Sequence, residues 1–85
     1  MSMANLVKKE LDTRTFPEIC SALAEQDWLD LKYDIMSKLR KTEQTVLNWK
    51  HGKTMPAAHS ERKDIARIIG SLLDIKTTPS ILFRS

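Results

Sequence analysis

Three features predict an all-α fold, a compact bundle of four to five short helices. Apolar residues recur at steps of three and four, helix-cap signals fall between the apolar runs, and strand signals are missing. Neither alternating β-branched runs nor Asn-Gly or Asp-Gly hairpin turns occur. With 85 residues, 41% of them apolar and only two Gly and three Pro, the chain suits one ordered domain around a small core. A core of that size needs good helix packing, a partner chain, or both.

Residues 1–14 place Leu6, Val7 and Leu11 among Lys8, Lys9, Glu10 and Asp12, the pattern of a short amphipathic helix or an arm. A single helical domain is expected over 15–85. Thr15-Phe16-Pro17-Glu18 reads as a capping box with Pro in the first turn, where its missing N–H costs nothing. Ile19, Ala22 and Leu23 follow at helical spacing, giving a helix over about 16–25. Asp27 with Asp30 reads as a second cap. Beyond it Trp28, Leu31, Ile35 and Leu39, widened by Met36, give a helix over about 28–40.

Lys41-Thr42 is the break, and Thr42 is a preferred N-cap for a short helix through His51. Gly52 suits the left-handed residue that closes a helix, and Pro56 prevents a quick restart. Ser60, or a residue just before it, opens the next helix, whose apolar face is Ile65, Ile68, Ile69, Leu72 and Leu73. Gly70 weakens that run and predicts an early end. Thr78-Pro79 is a last cap-plus-Pro signal, after which Ile81, Leu82 and Phe83 dock on the core.

Composition narrows the function. The net charge is +3, but residues 38–63 hold seven basic side chains (Lys38, Arg40, Lys41, Lys50, Lys53, Arg62, Lys63) against Glu43 and Glu61. That segment therefore carries +5 and the rest of the chain −2, with Asp27, Asp30 and Asp34 making the preceding helix acidic. A single Cys20 allows no internal disulfide and fits a reducing cytoplasm. No apolar run exceeds three residues, so neither a membrane span nor a signal-peptide core is expected. His51 and His59, eight apart, match no usual metal spacing, so no metal or cofactor is expected. Scattered carboxylates without a nucleophile triad, a phosphate loop or a Cys pair argue against an enzyme.

Two helices joined by one or two residues cannot lie side by side as an antiparallel pair, and must cross steeply as in a helix-turn-helix. In that geometry the first helix braces across the DNA backbone, and the second enters the major groove with its N-terminal N–H groups facing phosphate. With Val46 and Trp49 inward, the roughly 100° step per residue turns Glu43, Gln44, Leu47 and Asn48 outward as candidate base readers. Gln and Asn can pair bidentately with adenine, and Glu can accept from cytosine. Thr42 at the start, and Lys50, His51, Lys53 and Thr54 at the exit, are candidates for phosphate contact. Trp49 and Trp28 read as core residues, not base-stacking ones.

On these residues the segment resembles the recognition helix and following loop of the phage repressor and Cro type (Xre-like) helix-turn-helix family. The likeness is carried by Thr42, Thr45-Val46, Trp49, Lys50, Gly52, Lys53 and Pro56, and by Ile65-Ala66 and Gly70 in the next helix. It spans roughly residues 28–73, more closely after Thr42. The resemblance implies base-reading places at Glu43, Gln44 and Asn48, and backbone-contacting places at Lys53 and Thr54. It implies sequence-specific binding of double-stranded DNA by a small transcriptional regulator of phage or mobile-element type, with no small-molecule effector. A homodimer would bind half-sites about one duplex turn apart, and its surface candidates are the N-terminal arm and Ile81–Phe83. Arg40 stands where the family usually has Gly, and Met36 where it usually has a small residue. An arginine in a left-handed turn costs about 1 kcal/mol or more and a Met at a helix crossing pushes the axes apart, so a rebuilt turn is expected. The alternative reading is a non-enzymatic helical protein–protein interaction module.

Overall fold

The computed structural model describes residues 12–84, and all regular structure among them is α-helical. The five helices are α1 (Phe16–Ala22), α2 (Glu25–Leu39), α3 (Glu43–Lys50), α4 (His59–Leu73) and α5 (Pro79–Leu82). The arm or helix expected within residues 1–14 lies outside the described residues, apart from the turn at Asp12–Arg14 that leads into α1.

At the start of α1, Glu18 Oε1 accepts hydrogen bonds from the Thr15 backbone N–H at 3.0 Å and from the Thr15 hydroxyl at 2.9 Å. These bonds, that from the backbone first, hold the Glu18 carboxyl below its ordinary pKa. The helix is shorter than expected. Leu23 is already extended (φ −77°, ψ 146°) and Ala24 becomes the N-cap of α2, which starts at Glu25 and not at residue 28. Asp27 and Asp30 are therefore not a cap. Asp27 lies in the first turn with Glu25, where carboxylates favour the positive end of the helix dipole.

Arg40 ends α2 in the left-handed conformation, φ 55° and ψ 49°. The turn is thus not rebuilt; it keeps the geometry that Gly would take, at about 1 kcal/mol of backbone cost. The Met36 carbonyl accepts from both the Arg40 N–H and, at 3.2 Å, the Lys41 N–H, which closes the helix end. Lys41 is also tied to α4 by an ion pair with Glu61 at 2.7 Å. Met36 is accommodated half-buried at the edge of the core.

Thr42 caps α3, its hydroxyl accepting from the Thr45 N–H at 3.3 Å. We expect Thr42→Ala to cost about 1 kcal/mol, measurable by urea denaturation as a lower midpoint at unchanged slope. Gly52 closes the helix with φ 74°, and the Lys53 N–H bonds the Asn48 carbonyl at 2.9 Å. A β-carbon at Gly52 would stand 3.7 Å from Pro17 Cγ, so the end of α3 sits against the start of α1.

The early stop expected at Gly70 does not occur, and α4 runs to Leu73. Here Gly serves close approach. The chain reverses at left-handed Asp74 (φ 54°), and the Ile75 carbonyl comes within 3.2 Å of where a Gly70 β-carbon would be. In α5, Thr78 caps through the Ile81 N–H at 3.3 Å. Phe83 then stacks on Phe16, ring centroids 5.6 Å apart, joining the last helix to the first.

The core gathers one face from every helix: Phe16 and Ile19 from α1, Leu31 and Ile35 from α2, Val46 and Trp49 from α3, Ile65 and Ile69 from α4, and Leu82 from α5. α2 packs on α3 and α4, α1 on α3, and α4 on α5. Because Leu82 and Phe83 are buried in this core, they are not the dimer surface their apolar character suggested. Burying them inside the chain gains the same transfer energy as burying them against a partner.

Candidate nucleic-acid interface

α2 and α3 are in contact and joined by Arg40, Lys41 and Thr42, three residues where one or two were expected. The α3 helix turns Val46 (0% exposed) and Trp49 (4%) into the core. Glu43 and Gln44 on the other side are exposed, and Asn48 is half-buried. Leu47 is less open than the helical step suggested, being half-buried and packed on the core. An eight-residue helix against a small core presents a narrow outer face, and Leu47 falls on its margin.

Gln44 Nε2 donates to Asn48 Oδ1 at 3.1 Å. The two amides thereby form one unit, one turn long, that still presents Gln44 Oε1 as an acceptor and Asn48 Nδ2 as a donor. That is the kind of combination a base edge in the major groove can match.

Glu43 is engaged differently. Its carboxylate pairs with Lys32 of α2, Nζ to Oε2 at 2.5 Å, while the Lys32 side chain is only 8% exposed. The Lys32 ammonium is held above its ordinary pKa, first by this hydrogen bond and despite burial, which acts in the opposite direction. It also lies 4.8 Å from the Tyr33 ring centroid.

The basic segment is partly committed to the protein itself. Lys38 pairs with Asp34 at 3.5 Å and Lys41 with Glu61, while Arg62 Nε donates to the Pro56 carbonyl at 2.7 Å. The Lys50 ammonium rests 4.5 Å over the Trp28 ring. Arg40, Lys53 and Lys63 are exposed and carry no ion pair among the described residues. Thr42, His51 and Thr54 are exposed as well. Of the acids of α2, Glu25 lines a cleft together with Lys50 and His51 at the end of α3, whereas the other three face away. At 3.6 residues per turn, Asp27, Asp30 and Asp34 lie about 140 to 200° around the helix from Lys32, which marks the α3 side.

Cys20 is 2% exposed, and burial pushes its thiol up to about 12. It therefore stays protonated and packs as an apolar residue. Among the described residues no three His, Cys, Asp or Glu side chains cluster as a metal site would require.

No family model, curated protein or solved structure matches this chain. The likeness carried by Thr42 to Pro56 thus rests on those residues alone.

Lys32 was not singled out from the sequence, although a signal was present. It stands at the fourth residue after Trp28 and between Leu31 and Ile35, inside the apolar stripe of α2. A charged residue in such a stripe needs a counter-charge from another element.

Proposed function

We propose that this chain binds double-stranded DNA in a sequence-specific manner, with α3 as the major-groove reader of a helix-turn-helix. The observation that carries the reading is the exposed Gln44–Asn48 amide pair on a capped helix whose opposite face is locked into the core by Val46 and Trp49. Amides at that place can read base edges, while Thr42, Lys50, His51, Lys53 and Thr54 lie at the two ends of α3 or just beyond it, where phosphates would run. Arg40 and Lys63 add charge that is unpaired among the described residues. The role that fits is a small transcriptional regulator of phage or mobile-element type, bound as a homodimer to half-sites about one duplex turn apart.

The test separates reading from holding. A preferred duplex is first selected from a random pool, and binding is then measured on matched and singly mismatched sites. Gln44→Ala and Asn48→Ala are expected to relax discrimination by about 1 to 3 kcal/mol at the base pair each contacts. Lys53→Ala is expected to weaken all duplexes alike and to lower the salt slope by about 1. Identical behaviour of the two kinds of variant would refute the groove assignment.

One observation favours a second reading, a helical module that binds another protein. Two of the seven cations of the basic segment, Lys38 and Lys41, are ion-paired within the protein, and Tyr33, Met55 and Leu72 are exposed at 57%, 42% and 40%. Duplex binding that is absent or insensitive to salt would select this alternative.

A further inference from the structure

Lys32 is the one buried charged residue among those described, 6% exposed, and its ammonium is paired with the Glu43 carboxylate. Stability alone does not account for a lysine there. An apolar side chain of similar volume would fill the same place without desolvating an ammonium, and the Glu43 carboxylate, 54% exposed, does not need a partner to stay charged. What the pair supplies is direction. Apolar contacts tolerate sliding and rotation, whereas an ammonium–carboxylate hydrogen bond holds one atom against another within a few tenths of an ångström.

The point so held is the first residue of α3, adjacent to Gln44. The apolar contacts that seat α3, those of Val46, Leu47 and Trp49, all lie beyond its first three residues. α3 is eight residues long, its buried contacts are Val46 and Trp49, and the turn before it rests on a left-handed arginine. A hydrogen bond to a base edge loses most of its strength when the donor moves by about half an ångström or tilts past ~60° from linear. The rotation of α3 therefore decides whether Gln44 and Asn48 meet a base edge at all.

We propose that Lys32 and Glu43 act as a positioning pair, fixing the rotation of α3 on α2 and hence the register of the Gln44–Asn48 readout, with Glu43 itself making no base contact. This rests on the DNA-binding reading above. Glu43 is thereby removed from the candidate readers, and its negative charge beside the phosphates is neutralised by Lys32.

The experiment uses the full chain, its selected duplex and single-mismatch duplexes, with Lys32→Met, Glu43→Gln and the double variant. Lys32→Met keeps the stem volume and removes the charge, so melting temperature and far-ultraviolet circular dichroism are expected to hold. If Lys32→Met proves less stable, Glu43→Gln on the exposed partner carries the test. The wild type should discriminate by roughly 5- to 160-fold at each base pair read by Gln44 and Asn48. In all three variants that ratio is expected to fall to about threefold or less at both positions, with the double variant no worse than either single one. Discrimination retained in folded variants overturns the positioning role and leaves the DNA reading intact. A Glu43→Gln change confined to one further base pair overturns it too, by making Glu43 a reader. A wild type with no sequence preference refutes the DNA reading itself, and the positioning role with it.

Discussion

Replacing Trp49 by Ala should remove a large share of the domain's stability. The indole is 4% exposed in the cluster that also holds Val46, and Trp-to-Ala truncations in cores cost about 3 to 5 kcal/mol. At roughly 0.05 to 0.15 kcal/mol per residue a chain of this size has about 4 to 13 kcal/mol in all, so the loss is about a quarter of it or more. Each kcal/mol shifts the melting temperature of a domain this small by about 4 to 8 °C, so a fall of at least ~12 °C is expected by thermal circular dichroism. The same variant discriminates between roles. Were Trp49 a base-stacking residue, its removal would cost DNA affinity and leave the melting temperature unchanged.

Raising salt from 50 to 200 mM should lower duplex affinity by roughly 250- to 1,000-fold. This follows if about five phosphates are neutralised per chain, which gives a slope of log affinity on log salt near −4 to −5. Arg40, Lys53 and Lys63 are the cations most available for this, being exposed and without an ion pair among the described residues. Lys38 would have to leave Asp34, at little cost for a largely exposed pair, and Lys41 its half-buried pair with Glu61. Fluorescence anisotropy with a labelled duplex at four or five salt concentrations reads the slope directly. A slope near zero would place the chain with protein-binding helical modules.

The α3 helix was the most legible part of the chain. Its signals are all local: a hydroxyl three residues before the N–H it caps, two apolar residues three apart, and a Gly just past the end. The same holds for the Thr78-Pro79 start of α5. Errors arose where a local signal competed with packing. Asp27 looked like a cap, yet α2 begins earlier on Ala24, which has no capping oxygen. Gly70 looked like a stop, yet it makes room for a carbonyl from the returning chain.

The candidate site divides the same way. The outward amides of Gln44 and Asn48 follow from helical periodicity and the inward pull of Val46 and Trp49, so the amino-acid order alone places them. Their mutual hydrogen bond is likewise a one-turn contact. By contrast, the Lys32–Glu43 bond joins residues eleven apart on two helices. Leu47 and the pair Leu82–Phe83 are equally apolar in the sequence, yet the first is left on a margin and the second is enclosed. Local order determined which elements form and which way each one faces, because caps and periodicity act within about four residues. Pairings between elements waited on the assembled bundle. Burial of a given side chain, and the partner a buried charge must find, depend on which surfaces meet, and no single helix carries that information.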